Sequence, residues 1–191
     1  MITKIKEELY LSESFLDNND FIKLTKCIEH CSITQRKRVF CSDEQVYYPS
    51  GGIRLTCSNF DFSKIYLDKA VNIIEETFKV KIYKEHGVDI TAYFPEEGLP
   101  YHWDGQPEDR YGGSGELKTP SGYPKRDIST VFYPNSIFTG GDLHFKHLDV
   151  TIQPKPNTFV VFPSSELYTH KVEKVTSGIR LTCPSFWSLK E

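Results

Sequence analysis

The chain has 191 residues, enough for one domain with a sizeable core. Its formal net charge is -3 and its Lys and Arg residues form no long block, which excludes the basic footprint of a nucleic-acid partner. No apolar run approaches the roughly 20 residues of a membrane helix, and the charged start Met1–Glu8 lacks an apolar signal core, so the expected address is cytoplasmic, with no membrane partner.

Along the N-terminal third the chain reads as mixed helix and strand. Asp17-Asn18-Asn19-Asp20 offers N-caps, and Phe21, Leu24 and Ile28 follow at helical spacing. A second helix is predicted from about Phe62 to Phe78, with Leu67, Val71, Ile74 and Phe78 as its apolar stripe. Five cysteines, Cys27, Cys31, Cys41, Cys57 and Cys183, include no C-x-x-C pair. They are expected to be buried free thiols rather than a zinc site.

From Val88 onward the texture changes to short strands broken by Gly, Pro and Asn. Strands are predicted near 88–94, 100–104, 128–133, 142–146, 149–153, 158–163, 167–172 and 178–183. The fold class is therefore mainly β with flanking helices: a double-stranded β-helix (jelly roll) supported by N-terminal helices. One domain is expected over 1–191, with 1–87 as helical buttress and first strands and 88–191 as jelly-roll core. The stretch Gly105 to Asp127 is rich in Gly and charge with little to bury, and reads as a mobile cover over a site. Gly52-Ile53-Arg54-Leu55-Thr56-Cys57 recurs as Gly178-Ile179-Arg180-Leu181-Thr182-Cys183, without the flanking similarity of a repeat architecture.

The chemistry is carried by histidines and carboxylates. Iron(II) that must take a bidentate co-substrate and O2 together is held by two His and one carboxylate on one face. On a strand, residues i and i+2 point the same way, so His102-Trp103-Asp104 aims an imidazole and a carboxylate at one point. Alone H-x-D is weak, and His147-Leu148-Asp149 is a second copy. Spacing decides between them. Four predicted strands and the loop separate His102 from His170, as a jelly roll requires before the third ligand returns. The segment from His147 to His170 is too short for four crossings of about five or six residues each. His102, Asp104 and His170 are therefore the candidate metal ligands, and His147 and Asp149 belong to a surface turn. Arg180 lies across one turn from His170, where a planar guanidinium could take the distal carboxylate of 2-oxoglutarate bidentately. Arg54 is its rival by pattern.

From about Ala92 to Trp187 the chain resembles the prolyl 4-hydroxylase-like branch of the Fe(II)/2-oxoglutarate-dependent dioxygenases. Ala92-Tyr93-Phe94-Pro95 leads to His102-x-Asp104. Arg126-Asp127-Ile128-Ser129-Thr130-Val131-Phe132-Tyr133-Pro134-Asn135 is similar to R-x-x-T-x-x-x-Y-L-N, and Gly140-Gly141-Asp142-Leu143-His144-Phe145 to G-G-x-L-x-F. Phe162-Pro163-Ser164, His170-Lys171-Val172, Val175 and Gly178-Ile179-Arg180 close the series. Two positions depart: Pro134 stands for the usual Leu, and collagen-type members carry Lys where this chain has Arg180.

The resemblance implies Fe(II), with 2-oxoglutarate and O2 as co-substrates and ascorbate as an accessory. It implies hydroxylation of a C–H bond with release of succinate and CO2. Tyr133 would join Arg180 at the distal carboxylate, Tyr93 would line the same pocket, and Leu143 would pack against the co-substrate chain. Arg126 and Trp187 would meet the prime substrate, and Tyr101 offers a further flat aromatic face for a proline ring. The expected substrate is a prolyl residue in a peptide or protein. A free amino acid or small amino-acid-like metabolite, and a related oxidation such as desaturation or ring closure, stay open beside it. The non-enzymatic alternative is a metal-binding β-sandwich module, which would close its site with a fourth protein ligand.

Overall fold

The computed structural model of the chain describes residues 2–31, 33–35, 40–41, 46–47, 51–53, 55, 60–83, 88, 90–105, 126–135 and 137–190. The N-terminal half supplies β1 (Thr3–Lys6), β2 (Leu9–Ser12), α1 (Asn18–Glu29), β3 (Ile33–Gln35), β4 (Phe40–Cys41), β5 (Val46–Tyr47), β6 (Gly51–Ile53), α2 (Phe62–Phe78) and β7 (Ile82–Tyr83). Then come β8 (Ile90–Tyr93), β9 (Leu99–His102), β10 (Ile128–Tyr133), β11 (Phe138–Gly140), β12 (Leu143–Phe145) and β13 (Val150–Ile152). The chain closes with β14 (Thr158–Pro163), β15 (His170–Val172), β16 (Val175–Gly178) and β17 (Arg180–Leu189).

A major sheet runs β1-β2-β14-β10-β17-β8-β6-β3, with β7 paired to the end of β17. A minor sheet runs β13-β12-β15-β9. The two lie face to face as the expected jelly-roll sandwich. Strands from the first fifty-odd residues form both edges of the major sheet, so the N-terminal segment is built into the same sheet as the C-terminal strands.

The major sheet is covered on both faces, which is why β10 and β14 read as near-continuous apolar runs rather than alternating ones. On its outer face lie the helices. Asp17 caps α1 by accepting from the Asp20 amide, and Asp61 caps α2 through the Lys64 amide, each cap contributing about 1 kcal/mol. Phe62, Tyr66, Ala70 and Ile74 of α2 then bury against Phe15, Ile128, Phe132, Phe159 and Leu181. Phe15 stacks on Phe159 with ring centroids 4.4 Å apart and tilts against Phe132 at 5.1 Å. On the inner face, Tyr93, Tyr133, Val160 and Phe162 meet Leu143, Phe145, Ile152 and Val172 of the minor sheet. The site lies on this inner side.

The two copies of the repeated hexapeptide flank one strand. Gly52 sits opposite Thr91 on one edge of β8, and Arg180 opposite Tyr93 on the other. The counterpart of Gly52 is Gly178, which lies beyond the end of that pairing, so the copies occupy different registers. Arg54 lies outside the described residues. Cys31 and Cys183 take part in no disulfide, but Cys27 is disulfide-bonded, so the expectation that no cysteine is paired fails there.

Candidate active site

The minor sheet brings the two histidines together by register. His102, the last residue of β9, is the direct cross-strand partner of His170, the first of β15, and their rings are 4.4 Å apart. Asp104 completes the cluster from a different geometry than expected. β9 ends at His102, so Asp104 reaches the site from the turn that follows rather than by strand alternation. Its Oδ1 lies 3.5 Å from His102 Nε2 and its Oδ2 3.9 Å from His170 Nε2. One ligand atom from each residue falls within 4.8 Å of the other two. Among the described residues this is the single group of three or more His, Cys, Asp or Glu side chains so placed.

Backbone carbonyls fix both imidazoles. His102 Nδ1 lies 2.8 Å from Pro100 O and His170 Nδ1 2.9 Å from Tyr168 O. A carbonyl only accepts, so each Nδ1 carries a proton and each Nε2 is turned toward Asp104. Phe145 and Phe162 hold the His170 ring between them, with centroids at 5.5 and 5.1 Å. Burial works against charge on Asp104, but His170, the hydrogen bond from His102 and a hydrogen bond from Ser129 outweigh it and hold the carboxyl well below its usual range. Burial pushes His170 down against the opposing charge of Asp104. For His102 burial acts the same way, but the hydrogen bond and charge of Asp104 prevail and raise it. A carboxylate oxygen and two imidazole nitrogens converging on one point, with no fourth ligand among the described residues, fit an open N,N,O metal site rather than a closed structural one.

Ser129 and Ser164 support this cluster from the major sheet. Both are buried, with their hydroxyl oxygens 2.6 Å apart. Gly105, directly after Asp104, donates its amide to Ser164 O at 2.9 Å, and a Cβ there would lie 2.7 Å from the same oxygen. The turn carrying Asp104 is thus fastened to the end of β14.

Arg180 opens β17 with a side chain that points inward and is 1% exposed. Its Nη2 donates to Tyr133 Oη at 3.3 Å. Its Cζ lies 4.8 Å from the Tyr93 ring centroid and 5.1 Å from that of Tyr133. Its Nε has no partner, and among the described residues no carboxylate pairs with it. A guanidinium buried without a counter-anion is costly, so the pocket is built to receive one. Burial raises Tyr93 to about 12 against the opposing charge of Arg180. Tyr133 is also raised by burial. Leu143 is buried in the same inner core as both tyrosines. The donor set and the unpaired guanidinium both fit Fe(II) and a dicarboxylate co-substrate.

The pleat sorts the remaining candidates. Arg126 is exposed at the rim: Nη1 donates to Asp104 O at 3.4 Å, and the guanidinium stacks 3.9 Å from the Phe186 ring centroid. Trp187 does not join it. Counting from the inward Arg180, positions 182, 184 and 186 share its face and position 187 takes the other. Trp187 is 1% exposed in the helix-side core, with Nε1 donating to Thr130 Oγ1 at 3.0 Å. Its assignment to the prime substrate is corrected, and Phe186 is the β17 aromatic that lies beside Arg126. Trp187→Ala is expected to cost about 3–5 kcal/mol of stability, read from urea unfolding. The half-saturating substrate concentration should stay unchanged; a shift in that quantity with stability intact would return Trp187 to the site.

Tyr101 is corrected for the same reason. It precedes the inward His102 and so points out of the sandwich, 41% exposed. There its hydroxyl meets His144 Nδ1 at 2.8 Å, with Lys171 Nζ 5.1 Å from its ring. His147 and Asp149 are exposed on the turn between β12 and β13, as expected. The loop from Gly105 to Asp127 lies outside the described residues at 106–125, including Tyr111 and Tyr123.

Residues 88–188 match the family model described as the 2OG-Fe(II) oxygenase superfamily. Prolyl 3-hydroxylase 1 of Rattus norvegicus is 33% identical over 78 residues, which is 38% of this chain and 11% of that protein. The match therefore spans a small part of that relative's length. A prolyl-4-hydroxylase of Pseudomonas putida superposes with a TM-score of 0.62 and 17% identity, over 97% of this chain and 95% of its own. A prolyl hydroxylase of Trichoplax adhaerens, in complex with a hypoxia inducible factor oxygen degradation domain peptide fragment, gives 0.61 and 12%, over 94% and 83%. At those identities the likeness is one of fold. The family match is broader in what it carries: it covers more than half of the sequence and runs through His102, Asp104, His170 and Arg180, so this chain belongs to the 2OG-Fe(II) oxygenase superfamily.

Proposed function

We propose that this dioxygenase hydroxylates a prolyl residue in a peptide or protein. His102, Asp104 and His170 hold Fe(II); Arg180 and Tyr133 take the distal carboxylate of 2-oxoglutarate, with Tyr93 and Leu143 lining its pocket. Bound there, the metal and 2-oxoglutarate activate O2 for insertion into a C–H bond, releasing succinate and CO2. The protein's part is to keep both imidazoles in the Nδ1–H form, to keep Asp104 ionised and to hold the co-substrate by its far end.

The observation that carries the substrate reading is the Arg126–Phe186 stack. An exposed guanidinium lying over an aromatic ring, anchored to the backbone of Asp104, presents hydrogen-bond donors beside the metal site. Peptide carbonyls flanking a proline suit such donors, and the substrate chain can lie across an open rim. The named relatives that modify prolyl residues favour the same reading.

The test is turnover with Fe(II) and 2-oxoglutarate. Without prime substrate, slow succinate release is expected. With proline-containing peptides, succinate should rise and mass spectrometry should find one added oxygen on proline. Oxygen added to free amino acids alone, every peptide untouched, would replace the peptidyl reading with a small-metabolite hydroxylase.

A further inference from the structure

β10 stops pairing with β17 at the place where Arg180 leaves the sheet. Their ladder runs from Ile128↔Trp187 to Phe132↔Cys183. Continued in the same register, it would set Asn135 opposite Arg180. It cannot continue as backbone, because β10 ends at Tyr133 and Pro134 has no amide hydrogen to donate. The other edge of β17 is filled by β8, with Arg180 opposite Tyr93 and Leu181 opposite Ala92. On the edge that β10 vacates, the carbonyl of Ile179 and the amide of Leu181 need other partners.

The Asn135 side chain supplies both. Its Nδ2 donates to Ile179 O at 2.9 Å, and its Oδ1 accepts from Leu181 N at 3.0 Å. The carboxamide imitates one peptide unit of a continuing strand and brackets Arg180 from both sides. The Arg180 backbone is thereby pinned along both edges. Its side chain is confined as well: a Cβ at Gly141 would lie 2.6 Å from Arg180 Cδ, and Gly141 adopts φ +69°.

We propose that Asn135 is a positioning residue for co-substrate capture. By fixing the backbone on either side of Arg180 it sets the direction of the guanidinium, and so the affinity for the distal carboxylate, without touching the co-substrate. The inference rests on Arg180 being the carboxylate anchor, as proposed above. A bidentate guanidinium–carboxylate pair is demanding in angle as well as distance, so release of this bracket weakens binding selectively at that end of the ligand.

The experiment is calorimetric binding to the Mn(II)-loaded protein, comparing 2-oxoglutarate with pyruvate, which has the same 2-oxo acid head and no distal carboxylate. Wild-type protein should prefer 2-oxoglutarate clearly; equal affinity for the two would remove the Arg180 assignment itself. Given that preference, Asn135→Ala should weaken 2-oxoglutarate about tenfold and leave pyruvate within about twofold. In an Arg180→Ala background the Asn135 substitution should have no further effect, as expected when one residue acts through another. Equal weakening of both ligands, or undiminished loss in the Arg180→Ala background, would reduce Asn135 to a structural bridge and overturn the proposal. Should Asn135→Ala fail to fold, Asn135→Asp, which keeps an acceptor for the Leu181 amide, goes through the same comparison.

Discussion

Replacing His102, Asp104 or His170 singly with Ala is expected to abolish metal binding and succinate release while the fold survives. The three side chains are separate contributions to one centre: an edge strand, the turn after it and the neighbouring strand. Removing one leaves two ligands, and an open three-ligand site has no spare donor among the described residues to make up the loss. Each fold-bearing core is built from other side chains, so no structural reason links metal loss to unfolding. His170→Ala should be the least stable of the three, because its ring fills space between Phe145 and Phe162, at a cost of about 1–3 kcal/mol. His147→Ala should bind metal and turn over as wild type does, since His147 is exposed on a turn. Titration with Co(II), followed by its visible absorption, and succinate release check both halves. Metal binding lost in His147→Ala and retained in His102→Ala would reverse the choice between the two H-x-D motifs.

The sequence made the frame and the metal cluster legible for different reasons. β10 and β14 match their predicted bounds because apolar runs ended by Pro and polar residues leave little choice of boundary. The first helix was visible through its Asp cap and the second through the apolar stripe of Leu67, Val71, Ile74 and Phe78. The strands that escaped prediction, such as β1, β11 and β16, are short, exposed edge pairs with no apolar face to betray them. At the site, chemistry survived errors of geometry. Asp104 was placed on a strand and sits in a turn, yet two residues of chain still return it to His102. Trp187 and Tyr101 show the opposite case. Trp187 came from the resemblance and Tyr101 was chosen as a flat aromatic face, whereas the period of two, counted from Arg180 and His102, sends both away from the site. That count, taken from Arg180, puts Phe186 on the same face instead. Ser129, Ser164 and Asn135 could not be found so, because what they hold comes from strands far away in the chain.

Arg180→Ala should raise the 2-oxoglutarate concentration for half-maximal turnover by about two orders of magnitude, or about 2.7 kcal/mol, as expected for loss of a charge-assisted bidentate pair. The surroundings of Arg180 add a second, less obvious expectation. The guanidinium is buried with one phenolic acceptor, two aromatic faces and an unpartnered Nε, so without co-substrate it is a strained element of the core. Removing it should therefore cost little thermal stability, and the variant could even melt higher than wild type when no ligand is present. The gain in melting temperature that 2-oxoglutarate gives the metal-loaded wild type should disappear in the variant at the same ligand concentration. Arg180→Lys should fall between the two, since an ammonium keeps the charge and loses the planar fork. Succinate release across a range of 2-oxoglutarate concentrations, together with melting curves with and without ligand, measures all of this. A half-saturation value within about threefold of wild type, together with an intact thermal shift, would show that the carboxylate is held elsewhere.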